Sequence, residues 1–522
     1  MKSFLNHFTD RRVVCSDLEM QVIGPLGRIA TGGRNWEGFS NDPYLAGALV
    51  GPTITAMQES VIACVKHLIA NEQESNRLPF LGGIIPLLGV QSMSSNLDDR
   101  TTHELYLWPF YDAMRAEPGS VMCSYNKVNG SQGCQNSKVM NGLLKQELGF
   151  RGFIVSDWNA VQTGIAANNA GLDMVMPSSR QLTPSLLAAA VANGSVESAR
   201  LDDQATRILA AWYRYAHRQT PSIDGTANVD ARDPASASTL LQSAVEGQVL
   251  VKNVNNTLPL KKPRYLNLFG YDAVGGINGT SAGALDAQLV QFGLANTQAY
   301  TNGKRWGIVD LLASFGSVLP QPYSGPTVAL NGTLLTGGGS GAVTPAASVS
   351  PFDAFQRQAR IDGTTLHHDF VSTTPNVKYA TAPCIVFINA QSSESWDRSS
   401  LFDDYSDGLV LHVASQCSNT IVSIHNAGPR IVEAWIDHPK VTAVIFAHTP
   451  GQESGNALVE VIYGKQSPSG RLPYTLAKQE SDYGALLKPT LADEKNPLFP
   501  QSDFTEGLNI DVRDKIPSEI TR

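Results

Sequence analysis

The feature that most constrains the fold is a short apolar run, Phe153-Ile154-Val155, set off by Gly149 and Gly152 and ended abruptly by Ser156-Asp157-Trp158. Three consecutive apolar residues, one β-branched pair among them, read as a strand buried on both faces, as in a parallel sheet. Gly149 closes the helix expected over residues 137–148, for which Ser137 is the expected N-cap. In a barrel of alternating strands and helices, catalytic groups stand at the C-terminal strand ends. Asp157 occupies such an end, with an indole beside it that suits stacking on a sugar ring. By itself, this carboxylate could equally cap the next helix.

The same grammar recurs along the chain. Strands are expected over residues 19–24, 61–65, 120–125 and 173–177, with helices over 103–114 and 201–215. From 220 to 237 the pattern breaks into Pro, Gly, Ser, Asp and Asn, which reads as a linker. Beyond it, strands at 265–270, 384–389, 420–425 and 441–446 alternate with helices at 408–415 and 454–463, the signature of a parallel sheet between helices. A chain of 522 residues can bury two such cores. The expected division is 1–219, 220–237 as linker, 238–485, and 486–522 as a tail.

A net charge of −8 disfavours nucleic acid and anionic membranes as partners. No apolar run reaches membrane-span length, and the start is too polar for a signal peptide. Of the six cysteines, Cys123 and Cys134 flank a short loop and can pair, and Cys384 and Cys417 each lie near a strand start, so they can sit side by side. Connectivity stays open at this point. No Cys/His spacing suits zinc, so neither a metal nor a cofactor is expected. The Gly337–Gly341 stretch has no strand-to-helix turn after it, and reads as a flexible loop near the active site.

Six ordered motifs carry a resemblance to family 3 glycoside hydrolases, fungal β-glucosidases in particular. They are Gly-Pro-Leu-Gly-Arg from Gly24, Gly-Arg-Asn-Trp-Glu-Gly-Phe-Ser from Gly33, and Lys66-His67 followed by Asn71-Glu72-Gln73-Glu74. Val-Met-Cys-Ser-Tyr-Asn from Val121, the run ending in Asp157-Trp158, and Ser393-Glu394-Ser395-Trp396-Asp397-Arg398 complete the set. The resemblance implies an α/β fold: a TIM-like (β/α) barrel followed by an α/β sandwich carrying the acid/base. It implies retaining hydrolysis of terminal β-D-glucosyl residues, with Asp157 as nucleophile and Glu394 as acid/base, about 5–5.5 Å apart in a competent site. Arg34, Lys66 and His67 are expected at the sugar hydroxyls. Tyr125 is expected on the nucleophile carboxylate, and Trp158 at the subsite boundary. A guanidinium fork such as that of Arg34 also suits a neighbouring carboxylate, though sugar contact is the expectation. Many fungal members read Ser-Gly-Glu-Gly where this chain has Ser393-Glu394-Ser395, which is expected to stiffen the loop.

The expected partner is a small oligosaccharide or β-glucoside. β-Xylosidase activity is the nearest alternative, and a catalytically silent relative the alternative from another class. Secretion is implied by the resemblance, and sequons begin at Asn129, Asn193, Asn255, Asn278 and Asn331. Relatives are also expected to carry a longer leading segment, with first barrel strands and a sugar-binding aspartate. Neither Asp10 nor Asp17 stands in a matching context. The expectation is therefore a barrel lacking its first strands, no fibronectin-like third domain, and weak activity.

Overall fold

The computed structural model describes residues 20–79, 89–177, 181–216, 233–275, 299–301, 304–305, 324–330, 332–342 and 347–511. Most of the expected linker, and the sequons at Asn278 and Asn331, lie outside them.

Four parallel strands form the first sheet, in the order Met20–Val22, Cys64–Leu68, Ser120–Cys123, Phe153–Ser156. The last three strands are buried throughout, which explains why they read as apolar runs rather than alternating ones. Helices cover the sheet, among them Pro43–Met57, Trp108–Arg115 and Lys138–Glu147. Ile154, Val121 and Val65 share one core with Phe110, Leu144 and Val50 beneath those helices. Among the described residues this sheet is an incomplete barrel. Residue 174 adds only an isolated bridge to Val155.

Two local readings need correction. Ser137 makes no side-chain cap. Instead Asn136 Oδ1 accepts the Val139 N–H at 3.1 Å, an equivalent cap placed one residue earlier. The single helix expected over 103–114 is two segments, Thr102–Tyr106 and Trp108–Arg115. Pro109 lacks the N–H that a continuous helix would bond to the carbonyl four residues back.

The second unit is a six-stranded sheet in the order Thr365–Asp369, Tyr265–Phe269, Cys384–Ala390, Thr420–Asn426, Val441–Phe446, Val249–Asn253. All neighbours are parallel except the last pair. Apolar clusters on both faces pack it between helices such as Asp404–Gln416 and Ser454–Ile462. Cys123–Cys134 and Cys384–Cys417 are disulfides.

The segment expected as a tail returns to the first unit. Gln501–Asp503 pairs in parallel with Ser94–Asn96. Phe504 packs against Tyr106, with the Arg28 guanidinium 3.9 Å above its ring. Arg28 also pairs with Glu506, Nε to Oε1 at 2.5 Å. Asp511 accepts from the Thr475 amide at 2.6 Å and from Asn41 Nδ2 at 2.7 Å, so the two units are tied near the chain's later residues.

Candidate active site

Three neighbouring parallel strands, Cys64–Leu68, Ser120–Cys123 and Phe153–Ser156, bring Lys66-His67, Tyr125 and Asp157 to one rim of the first sheet. Parallel pairing does this by itself, because residues at the same end of adjacent strands must meet. Asp157 is buried. Its Oδ1 accepts the Trp158 N–H at 2.7 Å, and its Oδ2 has no hydrogen-bond partner among the described residues. His67 Nε2 is likewise unpartnered and lies 3.5 Å from that oxygen.

The His67 ring is fully buried, and burial, aided by Arg34 and Lys66, holds its pKa well below the usual value. A neutral ring facing the Gly24 carbonyl through Nδ1 at 3.1 Å must carry its proton there. Nε2 is then an acceptor, and two acceptors face each other across 3.5 Å. That gap calls for a hydroxyl donor. The Tyr125 phenol also faces Asp157, and burial first, then that carboxylate, raises its pKa well above the ordinary value. Burial raises the Asp157 pKa too, against the pull of Arg34 and Lys66. Trp158 is half-buried, its ring packed beside Phe153, Met122 and Ile62.

Glu394 arrives from the second unit, on the loop after strand Cys384–Ala390. Asp397 stitches that loop to the first unit: its Oδ1 accepts the Gly33 and Glu74 amides at 3.2 and 3.0 Å, and its Oδ2 the Ser75 amide at 2.8 Å. Gly33 is required by this closeness, since a Cβ there would stand 2.0 Å from the Trp396 carbonyl oxygen. On the other side, the Glu394 N–H donates to the Gly338 carbonyl, the Gly338 N–H to the Ser392 carbonyl, and the Ser340 N–H to Glu394 Oε2 at 2.7 Å. The Gly-rich loop therefore lies against Glu394 itself. A Cβ on Gly339 would fall 2.3 Å from the Glu394 Cβ.

Arg34 is placed by the structure on carboxylates: it forks onto Glu37 at 2.8 and 2.7 Å and reaches Glu394 Oε1 at 3.4 Å. Of the two partners its sequence context allowed, the carboxylate is the one it meets here. Arg77, which the sequence reading missed, is the closer partner of Glu394. Its Nη1 lies 2.9 Å from Glu394 Oε1 and 3.0 Å from Glu74 Oε2, with the guanidinium 4.6 Å from the Tyr125 ring centre. Burial would raise the Glu394 pKa, but Arg34, Arg77 and Ser340 outweigh it and hold the carboxyl well below the ordinary range. At Glu74 the pull of Arg77 and Arg34 does not offset a full loss of water, and burial, with Glu394 and Asp397 adding to it, pushes the carboxyl to about 7. The signal for Arg77 was its position three residues past Glu74, one helical turn on in a polar run after a buried strand; the motif itself ends at Glu74. Among the described residues no group of three His, Cys, Asp or Glu is arranged to hold a metal ion, and no helix is long and apolar enough to cross a membrane.

Residues 23–211 match the glycosyl hydrolase family 3 N terminal domain, and residues 248–512 match the corresponding C-terminal domain. The chain is 49% identical over 503 residues to a probable beta-glucosidase M of Neosartorya fischeri, covering 94% of this chain and 60% of that protein. It is 45% identical over 504 residues to the beta-glucosidase cel3A of Pyricularia oryzae, covering 94% and 62%. The solved beta-D-glucoside glucohydrolase of Trichoderma reesei superposes with a TM-score of 0.79 at 35% identity, over 98% of this chain and 66% of that one. The chain thus spans about 60% of the length of the curated relatives it matches.

Proposed function

The chain belongs to glycoside hydrolase family 3, and on that footing we propose that it cleaves terminal β-D-glucosyl residues with retention of configuration. The observation that carries this reading is the unpartnered Asp157 Oδ2 on the strand-end rim. A nucleophile needs a free lone pair held in place, and this oxygen has one. Asp157 Oδ2 attacks the anomeric carbon while Glu394 gives its proton to the departing glycosidic oxygen. Glu394 then takes a proton from water, which attacks the same carbon and releases Asp157 as carboxylate. His67 Nε2 and Lys66 meet sugar hydroxyls, Tyr125 restrains the Asp157 carboxylate, and half-buried Trp158 offers a stacking face. The names of the relatives support a glucoside over a xyloside.

The reading extends to a secreted glycoprotein. Two disulfides fit an oxidising compartment, and Asn193 and Asn255 are exposed within their sequons. Asn129 fits less well, since its side-chain amide already donates to the Leu97 carbonyl at 3.0 Å.

A 2-deoxy-2-fluoro-β-glucoside with an activated leaving group tests the assignment. It should label Asp157 covalently, and Asp157→Asn should lower turnover by about 10⁴-fold or more with the fold intact. A label on another carboxylate would remove Asp157 from the nucleophile's role. Faster turnover of the matching β-xyloside would replace the glucoside reading.

A further inference from the structure

Deep in the second unit three side chains form a continuous hydrogen-bonded line. Ser454 Oγ lies 2.7 Å from His425 Nε2, and His425 Nδ1 bonds Asp272 Oδ2. All three are fully buried, with no measurable exposure. The order Ser-His-Asp is that of serine hydrolases. Here, however, no carbonyl substrate can reach Ser454, and the line continues past the carboxylate. Asp272 Oδ1 accepts the Leu334 N–H at 2.8 Å and Asn389 Nδ2 at 2.9 Å.

Those two ends are the roots of the clasp around Glu394. Leu334 opens the segment that runs to Gly338 and Ser340. Asn389 lies near the end of strand Cys384–Ala390, which feeds the loop to Glu394. The segments meet again at the carboxylate: the Gly338 N–H bonds the Ser392 carbonyl, the Glu394 N–H bonds the Gly338 carbonyl, and the Ser340 N–H holds Oε2. One carboxylate oxygen of Asp272 therefore bonds both arms at their roots.

We propose that Asp272, itself oriented by His425 and Ser454, is a positioning residue for Glu394. This rests on the acid/base reading of Glu394. Regular elements supply three of its points: Ser454 opens helix Ser454–Ile462, and His425 and Asn389 lie on adjacent strands. Without Asp272 Oδ1, two buried donors lose their acceptor and the arms can shift apart. Misplacing a reacting group by about 1 Å costs on the order of 100-fold in rate.

The experiment compares the 522-residue chain with Asp272→Ala, Asp272→Asn, Ser454→Ala and Glu394→Ala. Substrates are a simple alkyl β-glucoside, whose leaving group needs protonation, and a dinitrophenyl β-glucoside, whose leaving group does not. Asp272→Ala should lower kcat on the alkyl glucoside by about 100-fold, and on the activated one far less, with little change in KM. Ser454→Ala and Asp272→Asn should show the same selectivity to a smaller degree, and they decide the matter if Asp272→Ala does not fold. Amide exchange over residues 334–340 should quicken in every Asp272 variant that folds. If Glu394→Ala is selective and the Asp272 and Ser454 variants lose both substrates equally, the positioning role fails alone. If Glu394→Ala itself loses both equally, the acid/base reading fails and takes the positioning role with it. Labelling of Ser454 by a fluorophosphonate would also overturn the proposal, because it would make the serine a reactive nucleophile.

Discussion

Asp157 and Glu394 are equally buried, at 8% exposure each, yet their surroundings differ in kind. Asp157 accepts the amide of its own neighbour, faces a phenol and a neutral imidazole, and keeps one oxygen unpartnered. Glu394 is held by two guanidiniums and the Ser340 amide. Burial pushes both pKa values up, and only at Glu394 do partners reverse the push. The two carboxyls are therefore shifted in opposite directions from their ordinary values, Asp157 up and Glu394 down. The proposed reaction needs Asp157 ionised and Glu394 carrying the proton, so each group works against the direction of its shift.

The largest effect on this contrast is expected at Glu74, which shares Arg77 with Glu394. Its carboxyl sits at about 7 when folded, against an ordinary 4.5. A raised carboxylate contributes stability that is complete below the unfolded value and is lost as pH rises through the folded one. The stability of the wild type relative to Glu74→Gln should therefore fall between pH 4.5 and 7, by about 3 kcal/mol. Thermal or denaturant unfolding at a series of pH values reads it. A flat difference across that window would mean that Arg77 already holds Glu74 ionised.

Next is Arg77→Gln. Removing this cation takes away one of the charges that hold the Glu394 pKa down, so that pKa rises. The limbs of kcat/KM against pH report the free enzyme. With Glu394 as the lower-titrating group, the acidic limb should move up and the profile should narrow. Movement of the alkaline limb instead would reverse the order of the two carboxylates and break the comparison.

The same contrast explains what could be read from the chain alone. Asp157 is placed by local means: a strand of Phe, Ile and Val must be buried, and the residue after it must emerge at the sheet end. Its neighbours Lys66, His67 and Tyr125 end adjacent strands of the same type, so they too were legible. Four of the six strands in the sheet of the second unit were legible for the same reason, whereas the partly exposed edge strands Thr365–Asp369 and Val249–Asn253 were not. Glu394 takes its environment from residues 34, 77 and 340, which no periodicity joins. Local sequence offers Arg34 a neighbouring carboxylate, which Glu37 supplies, but gives no reason to place Arg77 or Arg34 on Glu394. The return of residues 501–511 to the first unit was hidden likewise, because Gln501–Asp503 is polar and pairs at a sheet edge with Ser94–Asn96, itself short and polar. The split of the helix at Leu107 was available from Pro109 and passed over.

The smallest effect concerns the backbone beside each carboxylate. Both loops carry a residue in the left-handed region: Asn159 at φ 61° next to Asp157, and Ser395 at φ 82° next to Glu394. Asn visits that region readily, through local hydrogen bonds of its short side chain, and Ser does so less easily. The Ser395 N–H donates to Glu74 Oε2 at 2.7 Å, so the strained conformation is held by a bond to the buried carboxylate cluster. Glycine removes the strain but adds entropy to the unfolded chain, leaving Ser395→Gly with a net stabilisation of about 0.5–1 kcal/mol. Asn159→Gly should change stability by no more than a few tenths of a kcal/mol. Unfolding midpoints of the two variants, measured side by side, check the pair. A Ser395→Gly protein no more stable than Asn159→Gly would show that the loop holds its shape without strain, and that the departure from Ser-Gly-Glu-Gly leaves the setting of Glu394 unchanged.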